Sequence, residues 1–185
     1  MSRDIVQNDF RIETPRLQLI CCNQEILEAI FTGDKSLAAL LQINIPIKWT
    51  EFGETSFKYT YEKVVTRAGK MEWWAYLAVL KKTKTLLGSC GYKGEPMRGM
   101  VEIGYEVAEP YRGWGLATEI AKGLIQQAFK SDEVQYVQAH TLATENESCS
   151  VLIKCGMQKM EELKDPDDGK LWRWEIKKAP DKITI

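Results

Sequence analysis

Apolar and polar residues alternate along several short stretches of the chain, and this is the pattern of β-strands with one buried face. In the first stretch, Arg16 to Cys22, the residues Leu17, Leu19 and Cys21 fall on one face. Six further strands are predicted: Trp73 to Leu80, Thr85 to Tyr92, Met100 to Ala108, Val134 to Leu142, Met157 to Leu163, and Leu171 to Lys177. Short connections make the second, third and fourth strands antiparallel neighbours.

Apolar residues at helical spacing predict helices between these strands. The predicted helices are Gln24 to Thr32, Lys35 to Leu41, Glu54 to Arg67, Gly115 to Lys130, and Asn146 to Lys154. Gly33 separates the first two, and the third should end near Gly69. The fourth helix joins two strands, so this unit should be a parallel crossover. Ile43 to Phe52 contains Pro46 and is expected to be irregular.

The junction between the fourth strand and the fourth helix carries the strongest chemical signal, in the segment Tyr111 to Thr118. Gly113, Gly115 and Ala117 leave the backbone bare where the helix begins. Amide groups at a helix N-terminus bind phosphate, because several N–H groups and the helix dipole point at one spot. Arg112 adds a positive charge whose fork geometry suits phosphate. The sequence therefore predicts a phosphate-bearing ligand here.

Two common phosphate-binding motifs do not fit this junction. A dinucleotide site requires a third glycine, but Thr118 stands in that place. The acidic residues that could hold a ribose, Asp132 and Glu133, precede the next strand instead of closing it. A P-loop requires Gly-Lys-Ser/Thr, which is not found here.

The pattern that fits is Arg-x-x-Gly-x-Ala, found at Arg112, Gly115 and Ala117. It resembles the coenzyme A pyrophosphate loop of the GNAT acetyltransferase superfamily. The preceding segment, Val101 to Ala108, resembles the fourth strand of that family. The later segment, Asn146 to Met157, resembles its Asn-x-x-Ser…Lys-x-Gly-Phe segment, although Asn146 stands two residues before the serine and a methionine replaces the phenylalanine.

The opening strand resembles one branch of the superfamily in particular. Thr14 to Leu19 reads Thr-Pro-Arg-Leu-Gln-Leu, similar to the RimJ/RimL-like branch, which acetylates protein N-termini and other amines. The resemblance covers about residues 11–178 and implies that residues 1–185 form a single GNAT domain. The implied fold is mixed α/β, with a strongly twisted mixed sheet of about seven strands, splayed between strands 4 and 5, and about four helices.

The resemblance also implies the reaction, a direct transfer of an acetyl group from acetyl-CoA to a primary amine. The acceptor would be a protein N-terminus or a small molecule, and a homodimer is compatible with the family. The implied coenzyme A-binding residues are Tyr105, Glu106, Val107, Arg112, Gly113, Trp114, Gly115, Leu116, Ala117, Thr118, Asn146 and Ser148.

Acetyl transfer needs a general base, and Glu102 is the first candidate. It shares a strand face with Gly104 and Glu106 and could look into a cleft, or it could be a solvated strand residue. Glu106 and Tyr105 are the alternatives.

Many relatives place a tyrosine, the acid for the leaving thiolate, where this chain has Leu152. Ser148 or water would have to take its place. Leu152 is also the one feature that supports a second hypothesis, a coenzyme A-binding sensor or interaction module with a decayed active site. Trp49 and Trp74 are the main candidates for an acceptor pocket, although core packing explains most of the aromatic residues around them.

Composition narrows the partners and the compartment. The net charge of −1 argues against nucleic acid and anionic membranes as partners. The first ten residues include two acidic ones, Asp4 and Asp9, where a signal peptide would have its apolar core. Five cysteines, an odd number that includes the adjacent pair Cys21-Cys22, indicate reduced thiols in the cytoplasm. With one histidine, His140, and no paired cysteine spacing, no metal site is expected.

Overall fold

The computed structural model describes residues 10–66 and 70–180. Its eight strands are β1 (Arg11–Glu13), β2 (Leu17–Cys21), β3 (Ala75–Leu80), β4 (Thr85–Tyr92), β5 (Met100–Tyr105), β6 (Tyr136–Leu142), β7 (Gln158–Asp165) and β8 (Gly169–Lys177). Its five α-helices are α1 (Gln24–Thr32), α2 (Asp34–Leu41), α3 (Thr55–Val65), α4 (Leu116–Ala128) and α5 (Glu147–Lys154). No helix within these ranges is long and apolar enough to cross a membrane.

All eight strands join one mixed sheet in the order β1-β2-β3-β4-β5-β6-β8-β7. Only β5 and β6 run parallel, so the crossover through α4 is confirmed. Strand β1 is not predicted by the sequence pattern, because three residues are too few to show an alternation. It shifts the numbering by one, so the predicted fourth and fifth strands are β5 and β6. The predicted end of α3 near Gly69 falls outside the described residues.

The sheet separates two apolar cores, and successive side chains of β2 point alternately into one core and the other. Leu17, Leu19 and Cys21 face the core that contains the buried side of α4 and α5. Ile20 faces the second core, which contains the apolar sides of α1, α2 and α3. On α4, Leu116, Ile120 and Leu124 recur at helical spacing and are buried in the first core, and Phe129 is partly buried against the same core.

Strands β5 and β6 separate soon after they meet. Only three residue pairs join them, and the last of these is Glu102 with Gln138. On its other edge β5 stays bonded to β4, since the amides of Glu106 and Ala108 donate to the carbonyls of Ser89 and Leu87 at 2.8 and 2.7 Å. Because backbone groups alternate in direction along a strand, the amides of the odd-numbered residues point into the gap. The splay expected between these strands is therefore confirmed.

Gly88 allows β4 to approach β5 closely beside this gap. Its φ of +153° is one that side chains rarely adopt, and an added Cβ would lie 2.2 Å from the Glu106 carbonyl oxygen. The pairing register of β3 with β4 also shifts here, between Ala78 and Val79. The position of the Glu106–Val107 backbone therefore depends on the absence of a side chain at residue 88.

Candidate active site

The N-terminus of α4 forms an open cradle of backbone amides. Gly115 is its N-cap in the left-handed conformation, with φ of +74°, and Gly113 has φ of +78°. The first intrahelical bond runs from the amide of Glu119 to the carbonyl of Gly115, so the preceding amides of this turn point away from the helix. Glycine has no side-chain oxygen that could accept from these amides, so they are available to donate to an anion.

A cavity of about 480 Å³ opens in front of this cradle. It extends from the first turn of α4 to the exposed face of α5 and to the end of β5. Its lining residues are Glu51, Phe52, Tyr105, Glu106, Val107, Tyr111, Arg112, Gly113, Gly115, Leu116, Ala117, Thr118, Glu147, Ser148, Ser150, Val151 and Lys154. We call it the cradle cavity. Ten of the twelve residues predicted to bind coenzyme A line it, all except Trp114 and Asn146.

Arg112 links the cradle to the end of β5 and to the segment before α3. Its Nε donates to the carbonyl oxygen of Val107 at 2.9 Å. Its terminal nitrogen forms an ion pair with Glu51, and this hydrogen bond raises the pKa of the guanidinium. About half of the Arg112 side chain remains exposed. The guanidinium is therefore held at the cavity wall while keeping surface available to an anion.

The cradle is braced from the opposite side by the start of β2. Arg16 donates from Nη1 to the carbonyl oxygen of Trp114 at 2.9 Å, and its Nε pairs with Glu119 at 2.6 Å. The hydroxyl of Thr14 donates to the same carboxylate. Burial raises the pKa of Glu119, but these hydrogen bonds outweigh it and leave the pKa below its ordinary value. The brace thus rests on an ionised carboxylate.

Two residues predicted to touch coenzyme A are placed outside the cradle cavity. The Trp114 ring is largely exposed and contacts Tyr111 edge to face, with 6.3 Å between the ring centroids. The Asn146 side chain caps α5, since its Oδ1 accepts from the amide of Cys149 at 3.1 Å. Both predictions stay untested as ligand contacts.

A second cavity, of about 440 Å³, lies on the other side of the β5 terminus. Five of its fourteen lining residues are aromatic, and most of its wall comes from α3 and from strands β3, β4 and β5. Its lining residues are Phe52, Ser56, Tyr59, Thr60, Trp74, Ala75, Ser89, Cys90, Gly91, Tyr92, Lys93, Gly104, Tyr105 and Glu106. We call it the aromatic cavity. The two cavities share Phe52, Tyr105 and Glu106, so they meet where β5 leaves β6.

Glu106 presents its carboxylate at this meeting point. One oxygen, Oε1, accepts hydrogen bonds from the hydroxyls of Ser89 at 2.6 Å and Thr50 at 2.8 Å. The other, Oε2, accepts from the amide of Glu51 at 3.0 Å. A carboxylate fixed by three donors between two cavities is well placed to hold and accept a proton from a ligand.

Glu102, the first base candidate from the sequence, lines neither cavity. Its Oε1 accepts from His140 Nδ1 at 2.9 Å and pairs with Lys93 Nζ at 2.5 Å. Burial raises the pKa of Glu102, but the hydrogen bonds from His140 and Lys93 outweigh it and lower the pKa below the ordinary value. Glu102 therefore belongs to an ion-pair cluster with Lys93 and His140. The alternative base candidate, Glu106, lies where the two cavities meet.

Tyr105 and Ser148 both line the cradle cavity. Burial raises the pKa of the Tyr105 phenol, and the hydroxyl of Ser148 partly opposes this rise. Leu152, which stands in the place of the usual tyrosine, is fully buried in the core below α5. A phenol is therefore present beside the gap, but it comes from β5 instead of α5.

The two tryptophans predicted to bind the acceptor have different environments. Trp74 lines the aromatic cavity and contacts Tyr59 edge to face at 5.6 Å. Trp49 is buried in the core beside α1–α3 and lines neither cavity. Its Nε1 donates to Asp34 at 3.0 Å, which satisfies the one polar atom of the ring. Trp49 is therefore placed in the core, which is the alternative that the sequence left open.

Sequence reasoning missed several polar residues of this site. Lys154 lines the cradle cavity, and it belongs to the Lys-x-Gly segment whose charge was not interpreted. Thr50, Glu51 and Ser89 hold Glu106 or Arg112 through contacts 17 to 61 residues apart in the sequence. Local patterns carry no signal for contacts of this range.

Comparison with known proteins identifies the family. Residues 25–158 match the family model of the acetyltransferase (GNAT) domain. This range includes β5, the cradle and most of the residues around both cavities. The chain belongs to the GNAT acetyltransferase family. Its fold is the mixed α/β GNAT fold, as the sequence resemblance implied.

Individual relatives of this GNAT protein are distant. The uncharacterized N-acetyltransferase YjdG of Bacillus subtilis (strain 168) is 28% identical over 131 residues, which cover 69% of this chain and 77% of that protein. The structure of a ribosomal-protein-S5-alanine acetyltransferase from Vibrio fischeri aligns with a TM-score of 0.66 at 16% identity, over 91% of this chain and 97% of the other.

A third similar protein is the ribosomal L7/L12 α-N-protein acetyltransferase RimL, whose structure contains coenzyme A. It aligns with a TM-score of 0.63 at 15% identity, over 91% of this chain and 98% of that chain. Such structural neighbours are in keeping with the RimJ/RimL-like resemblance of the opening strand. At these identities they establish the fold of this GNAT protein, and its substrates must be argued from its own residues.

Proposed function

We propose that this GNAT protein transfers an acetyl group from acetyl-CoA to a primary amine, either a small molecule or a peptide N-terminus. The observation that carries the proposal is the meeting of two cavities at Glu106 and Tyr105, where β5 leaves β6. One cavity ends in an amide cradle suited to phosphate, and the other is lined by five aromatic side chains. Donor and acceptor would thus reach one carboxylate from opposite sides.

The residues of the cradle cavity fit coenzyme A, which is a substrate of this reaction. The open amides of the first turn of α4 would bind the pyrophosphate. Arg112 and Lys154 supply positive charge in the same cavity. Ser148 and Val151 on α5 would contact the pantetheine arm. The CoA complex of the structural neighbour RimL supports this assignment by fold.

The gap beside β5 suits the amides of the pantetheine arm. The N–H groups of Tyr105 and Val107 point away from β4, as the alternation of bonds along β5 requires. An extended arm can pair with such an edge as an added strand would. This pairing would carry the thioester to the end of the arm, next to Glu106 and Tyr105.

Glu106 is the general base in this proposal. The amine must lose a proton to attack the thioester carbon, and an α-amino group has a pKa of about 8. Glu106 takes this first proton from the ammonium form, which frees the lone pair of the nitrogen. As the C–N bond then forms and the C–S bond breaks, a second proton passes from the nitrogen to the departing sulfur, so coenzyme A leaves as a thiol. Its three hydrogen bonds fix the carboxylate in the cleft before the amine arrives.

Tyr105 is proposed to stabilise the departing sulfur. Its raised pKa keeps the phenol protonated, so the hydroxyl can donate a hydrogen bond to the developing thiolate. Ser148, which lines the same cavity, would orient that hydroxyl. Since Leu152 has a core role and a phenol is present on β5, nothing in the site favours the decayed module over the enzyme.

Calorimetric titration with coenzyme A tests the cradle. We expect one binding site, and the Lys154→Ala variant should bind about tenfold more weakly, since a hydrogen bond to a charged group contributes about 1.5–3 kcal/mol. Pantetheine, which has no phosphate groups, should bind both proteins equally. Lys82→Ala removes an exposed lysine of the β3–β4 turn and is the matched control. Equal affinity of wild type and Lys154→Ala for coenzyme A would contradict the assignment.

The compartment is proposed on composition alone. Five cysteines, odd in number and including an adjacent pair, favour a reducing compartment such as the cytoplasm.

A further inference from the structure

The aromatic cavity has a composition that discriminates among amines. Five of its lining residues are aromatic: Phe52, Tyr59, Trp74, Tyr92 and Tyr105. Phe52 and Tyr59 are more than half exposed and form its mouth, whereas Trp74 is 7% exposed and forms its wall. Large exposed apolar side chains around a concavity mark a site that binds apolar groups.

The position of the Trp74 ring in the cavity wall is fixed by its neighbours. It is buried, yet it belongs to neither of the two core clusters formed by the described residues. An added Cβ at Gly91 would lie 2.1 Å from the Trp74 carbonyl oxygen, and one at Gly94 would lie 3.6 Å from its ring. Two glycines therefore let the chain pack against both the backbone and the ring of Trp74, which fixes the indole as a wall of the cavity.

Formal charge in the aromatic cavity is confined to two side chains among its described lining residues, Glu106 and Lys93. Glu106 lies where this cavity meets the cradle cavity. Lys93 directly follows β4, and its side chain reaches over β5 to the opposite end of the cavity. There its Nζ is paired with Glu102. Gly104 lies between them, and an added Cβ there would lie 3.9 Å from Lys93 Cε. The cavity thus offers one anionic position, followed by an apolar space and then a cation.

This order of charges favours a particular kind of acceptor. An amine held at Glu106 would place its carbon skeleton against Trp74 and Tyr59. A second ammonium group two residues farther along β5, roughly 7 Å away, would meet the Lys93 ammonium. It would lose its hydration without gaining an anionic partner, since Glu102 is already paired.

We propose that the acceptor is an amine with one positive charge and an aromatic or bulky apolar body next to the amino group, and that diamines and polyamines are discriminated against. This inference rests on the proposed acetyl transfer and adds the substrate class. Two sources share this chemistry, a free arylalkylamine and a peptide whose first residue is bulky and apolar. In either case the specificity resides in Trp74 and Lys93.

The test compares kcat/KM for acetyl transfer from acetyl-CoA, measured as thiol release. The acceptors are 2-phenylethylamine, 1,4-diaminobutane, and two tripeptide amides that begin with phenylalanine or aspartate. We expect 2-phenylethylamine or the phenylalanine peptide to exceed 1,4-diaminobutane and the aspartate peptide at least tenfold. The better of the two favoured acceptors identifies the source.

Variants separate a specificity role from a structural one. Trp74→Ala should lower kcat/KM for the aromatic acceptor about tenfold or more and that for 1,4-diaminobutane much less, because the short aliphatic chain has little surface to pack on the indole, and Trp74→Phe should restore most of the loss. Lys93→Gln should raise kcat/KM for 1,4-diaminobutane several-fold, because it removes the repelling cation and releases Glu102 as a partner. Lys82→Gln, the loss of an exposed lysine in a turn, should change neither.

The outcomes distinguish this inference from the function it rests on. A preference for 1,4-diaminobutane, or a preference that Trp74→Ala and Lys93→Gln do not alter, would overturn the substrate class and leave the acetyl transfer intact. No thiol release with any of the four acceptors would overturn both.

Discussion

Replacing Glu106 by glutamine is expected to lower kcat for acetyl transfer about 10²- to 10³-fold, within the range that a positioned general base contributes. Glutamine keeps the shape of the side chain and an oxygen that can accept from Ser89 and Thr50, and of the three hydrogen bonds it loses only the one from the Glu51 amide, so the cleft should keep its shape. What it loses is the ability to take the proton of the attacking amine. The KM for acetyl-CoA should change little, because the cradle is untouched.

Glu102→Gln is the matched comparison, because it removes the other carboxylate on the same face of β5. We expect a loss in kcat of less than tenfold, since Glu102 is bound to Lys93 and His140 outside both cavities. Initial rates at saturating acetyl-CoA measure both variants. A large loss with Glu102→Gln and a loss below about fivefold with Glu106→Gln would reverse the assignment of the base.

The second large effect is expected from Gly88→Ala. The new methyl group would lie 2.2 Å from the carbonyl oxygen of Glu106, in a backbone conformation that alanine rarely adopts. Either β4 or β5 must move, and the hydrogen bonds from Glu106 and Ala108 to β4 are lost or distorted. We expect a loss of about 2–4 kcal/mol in the free energy of unfolding. Activity should fall at least 10²-fold even where the variant is folded.

Urea unfolding followed by tryptophan fluorescence measures the stability, and rates are taken at a temperature at which the variant remains folded. Gly104→Ala is the control for stability, since an added Cβ there has its nearest neighbour at 3.9 Å and the backbone is an ordinary strand. It should stay within about 1 kcal/mol of the wild type. A Gly88→Ala variant as stable as Gly104→Ala would show that this close approach does not constrain β5.

The fold could be predicted where the sequence has a clear period. Strand β4 begins and ends at the predicted residues, and so does α1. The errors lie at element ends that tertiary contacts decide. The sequence pattern extends the strand that contains β5 to Ala108, but in the structure the strand ends at Tyr105. The amides of Glu106 and Ala108 still donate to β4 beyond that end.

The donor side of the site could be predicted better than the acceptor side. The cradle is local, since glycines at the start of a helix carry their own physical signal. The choice between Glu102 and Glu106 depends on Lys93, His140, Ser89 and Thr50, which approach from other elements. Trp49 and Trp74 are likewise equivalent in the sequence, and only the sheet assigns one to the core and the other to a cavity.

The most direct test of the account is to incubate the protein with acetyl-CoA and an equal mixture of 2-phenylethylamine and the phenylalanine tripeptide amide, and to quantify the released thiol and the acetylated amine by mass spectrometry. The account predicts equal amounts of the two products, formed by the wild type and nearly abolished in Glu106→Gln. Thiol release without an acetylated amine, or the same product yield from wild type and Glu106→Gln, would contradict it.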